Sequence, residues 1–264
     1  MTAQIQCRGL DVAFGGGEHR VVALQGIDLD LTAGEFVCLL GPSGCGKSTL
    51  MNAVAGFQMP SAGSILVEGN KVTGPGPDRA MVFQEYALFP WMSVERNIAF
   101  GLEIKGMAKA EIAGRVEALM VKMRLGEFRH RYPKDLSGGM RQRVAIARVL
   151  ALDSPILLMD EPFGALDALT RRTLQDELLR IWEESRKTVL FVTHSIEESI
   201  FLADRIVVMT YRPGTIKREV RVTIPRPRDP AAPEFNALKR ELSDLVMEEQ
   251  NRSTDDEIKT SAVD

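Results

Sequence analysis

The chain has 264 residues, three cysteines and a formal net charge of -3, with 45% hydrophobic and 26% charged residues. That length supports a substantial core in one large domain or two unequal lobes, and the weakly acidic balance argues against general electrostatic attraction to nucleic acid or an anionic membrane surface. Cys7, Cys38 and Cys45 are odd in number and lack metal-ligand spacing, which points to a reducing compartment. No apolar stretch is long enough to cross a bilayer and the first residues lack a basic-then-apolar leader, so any membrane role is expected to be peripheral.

In chain order, residues 5–14 and 21–31 alternate as strands do around the turn Gly15-Gly16-Gly17, which predicts a small antiparallel sheet. The apolar run 36–40 then enters Gly41-Pro42-Ser43-Gly44-Cys45-Gly46-Lys47-Ser48, and residues 48–55 leave it with helical character. This is G-x-x-x-x-G-K-[ST] between a strand and a helix, a cradle for the phosphates of a nucleoside triphosphate. Its glycines let successive N–H groups converge on one phosphate, Lys47 adds a mobile cation, and Ser48 supplies a hydroxyl for Mg2+.

Three further apolar runs end abruptly in a polar residue: 80–83 at Gln84, 156–159 at Asp160-Glu161, and 189–193 at His194. Such runs suit parallel strands buried on both faces, and ligands of parallel sheets bind beyond the carboxyl ends of the strands. All four run ends are therefore expected on one rim. Between Gln84 and Asp160 the pattern is helical: Ile112, Val116, Leu119, Met120 and Met123 recur at helical spacing, with Gly126 as the expected terminator. Leu136-Ser137-Gly138-Gly139-Met140-Arg141-Gln142 opens a helix running to about Leu152, with Ser137 as N-cap and a helix start that favours an anion. One loop already surrounds most of a triphosphate, so a second phosphate-seeking element poses a geometric question. A head-to-tail pair answers it, with the Ser137 element of one copy covering the phosphate held by the partner's Lys47.

After His194 the pattern predicts a helix over 196–203 and strands over 205–210 and 217–224, then an extended boundary at 225–230. Phe235, Leu238, Leu242, Leu245 and Val246 form one face of a final helix, and the polar residues from Asn251 onward are expected to be disordered. His19 and His130 sit in polar, solvated segments and carry no functional reading. No internal repeat is present.

Over nearly its whole length the chain resembles the ATP-binding cassette subunits of membrane transporters. Gly41 to Ser48 is Walker A, Gln84 the Q-loop, Leu136 to Gln142 the signature, Ile156 to Asp160 with Glu161 Walker B, Ala165-Leu166-Asp167 the D-loop, and His194 the H-loop. Met140 stands where the family commonly has Gln, and Phe14 takes the place of the Tyr that stacks on adenine. The resemblance implies an α/β fold: a P-loop NTPase core with a mostly parallel sheet, an N-terminal antiparallel β subdomain and a helical signature subdomain. It places the ATP-binding domain at 5–236, with the helical part at about 86–152, and a C-terminal helix and polar tail at 237–264.

By the same resemblance, ATP is bound by Phe14, Gly41, Pro42, Ser43, Gly44, Cys45, Gly46, Lys47, Ser48 and Thr49, and across the dimer by Ser137, Gly138, Gly139 and Asp167. Mg2+ falls to Ser48, Gln84 and Asp160; Glu161 is the general base, with His194 and Gln84 beside it in catalysis. The implied partners are a second copy in an ATP-sandwich dimer, integral-membrane permease subunits and, indirectly, a periplasmic solute-binding protein, with no nucleic acid. The implied location is the cytoplasmic face of the bacterial inner membrane. Phe89-Pro90-Trp91-Met92 lies where the family receives its membrane subunit. That segment, Arg212-Pro213-Gly214 and Arg226-Pro227-Arg228 resemble the nitrate, sulfonate and taurine importers. An exporter ATPase and a non-transport cassette protein are the alternatives.

Overall fold

A computed structural model describes residues 3–261. Its elements are β1 (Ala3–Phe14), β2 (Val21–Thr32), β3 (Phe36–Leu40), α1 (Lys47–Ala55), β4 (Ala62–Val67), β5 (Asn70–Lys71), β6 (Arg79–Val82), α2 (Val94–Ile104), α3 (Lys109–Lys122), α4 (Gly138–Ala151), β7 (Ile156–Asp160), α5 (Ala168–Ser185), β8 (Thr188–Thr193), α6 (Ile196–Leu202), β9 (Arg205–Met209), β10 (Ile216–Arg221) and α7 (Pro233–Ser261). They fall into two compact units, one built from residues up to Pro75 and from Thr188 onward, the other from Gly76–Lys187.

In the first unit the alternation of residues 5–14 and 21–31 becomes the antiparallel pair β1 and β2, with Ile5 opposite Leu31 and Cys7 opposite Leu29. Ile5, Cys7, Leu10 and Val12 are buried with Leu24, Ile27, Leu29 and Leu31; the two-residue side-chain period holds within each stretch, and a register irregularity between Cys7 and Leu10 shifts its phase by one residue. The sheet has two strands beyond those expected, in the order β2-β1-β4-β5. The same unit holds β9, β3 and β8, which pair in parallel, with β10 antiparallel on β9. Every residue of β3, β8 and β9 is buried. In the second unit β6 and β7 pair in parallel, Val82 opposite Met159, beside the helices α2 to α5.

Two helical boundaries differ from expectation. α3 ends at Lys122, where Arg124 takes a left-handed φ of 53° and the Leu125 N–H closes on Met120 O and that of Arg124 on Val121 O. This pair of bonds completes the end of the helix, and Gly126 instead begins a short 3-10 turn. α7 runs through Asn251 to Ser261, which overturns the expected disorder there; residues 262–264 lie outside the described residues. Phe235 and Leu242 are fully buried, so tertiary packing has already met the cost of nucleating this helix, and each further residue adds a bond. α5, which the sequence reading did not assign, buries Leu174, Leu178, Ile181 and Trp182 at helical spacing.

The segment 225–230 is the expected extended boundary, without helix or strand, and it is anchored by its arginines. Arg228 is 3% exposed and donates to the carbonyls of Ile200, Ala203 (2.7 Å) and Ile224 (2.9 Å), satisfying the carbonyl end of α6. Burial pulls its pKa down to about 10, which leaves it charged at neutral pH. Beside it Arg226 pairs with Asp204 at 2.7 Å, and Asp204 accepts the Phe36 N–H that starts β3. Arg228→Met removes these bonds while keeping the buried stem. It is expected to cost about 3 kcal/mol, since hydrogen bonds to a charged group carry more than neutral ones. The melting temperature should fall by roughly 10 °C. An unchanged melting curve would show that the three carbonyls find other partners.

Candidate functional site

In the first unit β3 delivers the chain into the loop 41–46, and α1 leaves it with Gly46 as N-cap. Gly46 has φ +97°, and a Cβ there would stand 2.6 Å from Leu24 Cδ2 and 3.1 Å from Ala23 O, so the loop lies directly on β2. The opening turn of α1 presents N–H groups that have no acceptor within the helix, at the positive end of its dipole. Lys47 is 5% exposed, and its ammonium spans the loop, donating to Gly41 O and Pro42 O, both at 2.8 Å. The buried Cys45 thiol lies 3.7 Å from it. Burial pushes that thiol's pKa up and Lys47 opposes this only in part, so Cys45 is neutral packing rather than a nucleophile.

Leu40 and Thr193 are register partners on adjacent parallel strands, so Gly41 and His194 leave the sheet side by side at the same end. Adjacent strands lie about 4.8 Å apart. Thr193 Oγ1 accepts the Ser195 N–H at 2.9 Å and Ser195 caps α6, which fixes the backbone on both sides of the exposed His194. Phe14 is 44% exposed at the end of β1, two residues beyond Val12, the register partner of Leu24. An exposed ring on the strand next to the one that contacts the loop suits stacking on a flat base.

The second unit repeats this arrangement of strand ends. Gln84 lies two residues beyond β6, and Asp160 is the last residue of β7, both past the Val82–Met159 rung. Glu161 follows with φ +40°, a left-handed conformation uncommon for a side chain with a Cβ, directly before Pro162. Such backbone strain concentrates where a functional group must be aimed. Ser137 caps α4 by accepting the Met140 N–H, as expected. Arg141 stacks over the Tyr86 ring at 5.4 Å, which brings the loop after Gln84 to the start of α4. Asp167 caps α5; the Thr170 N–H and hydroxyl and the Leu169 N–H hold its carboxyl below the ordinary carboxylate range.

The Phe89 to Met92 segment splits into an inner and an outer part. Phe89 packs on Phe100 with ring centroids 4.4 Å apart and lies under the Arg148 guanidinium, whereas Trp91 is 69% exposed. Two residues absent from the sequence reading build this turn. Asn97, wholly buried on α2, accepts the Phe89 N–H and donates to the carbonyls of Phe89 and Met92. Arg148 on α4 donates to Ala87 O at 2.7 Å and Tyr86 O at 3.3 Å. The available signal was an Asn beside the apolar Ile98 and Ala99, a polar group that burial obliges to find partners.

Residues 24–164 match the ABC transporter family. The chain belongs to that family. Like its relatives it is an ATPase that binds ATP. It is 42% identical over 260 residues to the nitrate import ATP-binding protein NrtD of Synechocystis, covering 95% of this chain and 98% of the relative. It is 50% identical over 206 residues to the taurine import ATP-binding protein TauB of Roseobacter denitrificans, covering 78% and 76%. It is 46% identical over 230 residues to the aliphatic sulfonates import ATP-binding protein SsuB of Bacillus licheniformis, covering 87% and 89%. Among solved structures, the dimeric post-hydrolysis state of an ATP-binding cassette bound to ADP and Pi superposes with a TM-score of 0.74. It is 31% identical, over 83% of this chain and 99% of that one. The ABC transporter fold accounts for the mostly parallel strands and the separate antiparallel sheet. No helix among the described residues is long and apolar enough to cross a membrane.

Proposed function

We propose that this ATPase energises the import of a small anion such as nitrate, taurine or an aliphatic sulfonate, acting as a head-to-tail pair on membrane-embedded permease subunits. The observation that carries the nucleotide chemistry is the Lys47 ammonium lying across a loop that leaves the sheet beside His194. The similarity to three anion-importer ATPases supports the solute class, and the dimeric state of the solved cassette supports the pair. On this reading residues 5–236 form the ATP-binding domain with its helical part at about 86–152. The chain works from the cytoplasmic face of the membrane, and a periplasmic binding protein delivers the solute to the permease.

In the proposed chemistry Lys47 and the backbone N–H groups of residues 43–49 hold the phosphates, with Phe14 against the base. Glu161 accepts a proton from the attacking water, and His194 orients the terminal phosphate. Ser137, Gly138, Gly139 and Asp167 close over the nucleotide of the partner copy. Ser48, Gln84 and Asp160 offer the hard oxygen donors that suit Mg2+, and they would hold it; bound there, the ion neutralises phosphate charge. Gln84 joins this set from the segment that also leads to Trp91.

Exposed Trp91 fits a site of attachment, since a solvent-facing Trp held on a braced turn is the type of residue that dominates protein interfaces. In a strain deleted for this chain, uptake of labelled nitrate, taurine or an alkanesulfonate should fall to background and return with the wild-type chain. Trp91→Ala should fail to restore it while melting within about 0.5 kcal/mol of wild type, because nothing in the core is removed. Undiminished uptake of all three solutes in the deletion strain would sink the solute assignment. A Trp91→Ala chain that transports normally would remove this residue from the interface.

A further inference from the structure

The connection between β9 and β10, residues 210–215, is tied to the phosphate loop on one side and to the C-terminal helix on the other. On the loop side, Arg212 Nε donates to Gly44 O at 3.1 Å. Gly214 exchanges backbone bonds with β2, its N–H to Ala23 O and its carbonyl to the Gln25 N–H, and a Cβ on Gly214 would stand 2.2 Å from Cys45 O. On the helix side, Glu249 of α7 is fully buried and accepts the Tyr211 N–H through Oε2 at 3.0 Å. Its Oε1 accepts from Lys217 at 2.7 Å, and Lys217 also reaches Leu245 O and Glu248. Burial pushes the Glu249 pKa up, but Lys217 and the Tyr211 N–H together bring it below the ordinary carboxylate value, so the anion persists at neutral pH. Within the connection Thr210 Oγ1 donates to Pro213 O and accepts the Thr215 N–H, which makes it a self-supported hairpin.

We propose that α7 and the 210–215 hairpin brace the phosphate loop, and that Arg212 and Glu249 are positioning residues for nucleotide binding. The proposal rests on residues 41–48 being the phosphate cradle. A glycine-rich loop gains affinity when its amides are oriented before the ligand arrives, because the ordering cost is then not taken from binding. The Gly44–Cys45 peptide is planar and trans, so tying Gly44 O to Arg212 fixes the plane of that peptide, whose Cys45 N–H closes a turn of the loop on Pro42 O at 3.4 Å and so holds the shape that the following amides inherit. Glu249 acts one step further back, holding the backbone N–H of the residue before Arg212. Through Glu249 and the hairpin, the C-terminal helix thereby influences the phosphate loop.

The test is equilibrium titration of the full-length chain with Mg2+ and ADP, paired with a melting curve for each variant. Arg212→Ala and Glu249→Ala should each weaken ADP binding by about five-fold, the equivalent of one hydrogen bond. The double variant should be no weaker than the weaker single one, because both act through the same hairpin. Leu242→Ala, which opens a cavity under α7 about two turns before Glu249 and removes none of the hairpin's hydrogen bonds, should melt lower yet bind ADP as wild type does. Wild-type affinity in both Arg212→Ala and Glu249→Ala, or equal weakening by Leu242→Ala, would overturn the brace. Unaltered ADP binding by Lys47→Ala would instead overturn the cradle assignment beneath it.

Discussion

Replacing Glu161 with glutamine is expected to lower ATP turnover by about a thousand-fold while leaving ATP binding intact, the size of effect a general base supplies. The substitution keeps the length and planarity of the side chain and removes its negative charge, and with it the capacity to take a proton. Backbone geometry makes this a clean experiment. Glu161 sits at φ +40° between Asp160 and Pro162, and glutamine meets the same strain that glutamate does, so the left-handed turn is retained. Glycine at the same position would relax the strain and confuse loss of the base with loss of aim. With hydrolysis stopped, bound ATP should persist and hold two chains together through the Ser137 helix starts. Sedimentation should then show a dimer with ATP and a monomer after its removal. Normal turnover in the Glu161→Gln chain contradicts the base assignment, and a variant that stays monomeric at saturating ATP contradicts the head-to-tail pair.

The strands of the parallel sheet were legible because burial on both faces leaves a continuous apolar signature, and the 36–40, 156–159 and 189–193 runs are strands within a residue at each end. The residues that follow them, Gly41, Asp160 with Glu161 and His194, were legible for the same reason, since each interrupts an apolar run. What escaped was information carried by distance rather than by pattern. Arg212 is 168 positions from the Gly44 carbonyl it bonds, and Arg205, on a buried strand, reaches Glu35 170 positions away. No local period reports such pairings. The end of α3 was misplaced because Arg124 takes a left-handed conformation that residue preference assigns to Gly126. The polar stretch after Asn251 was misread because composition describes an isolated segment, whereas this one extends a helix already docked through Phe235 and Leu242.

Lys47→Ala is expected to weaken nucleotide binding by about a hundred-fold, since charge-assisted bonds from an ammonium to phosphate are among the strongest single contacts available. The structure separates two sources for that loss. Lys47 supplies positive charge, and through Gly41 O and Pro42 O it also ties the start of the loop to the start of α1. If charge dominates, Lys47→Arg should keep part of the affinity. If the tie dominates, Lys47→Arg should bind as poorly as Lys47→Ala, because a planar guanidinium is bulkier than the compact ammonium enclosed there. Lys47→Gln resolves the remaining ambiguity, for its amide can still donate to those carbonyls without charge. The charge reading therefore predicts Lys47→Arg above Lys47→Gln in affinity for ATP with Mg2+, and the tie reading predicts the reverse. Calorimetric titration of the three variants measures the order directly, and binding equal to wild type in Lys47→Ala would sink both. The charge reading is the one expected to hold: the two loop carbonyls are neutral acceptors, whereas a triphosphate offers the same ammonium several negative oxygens, and bonds with both partners charged are the stronger kind.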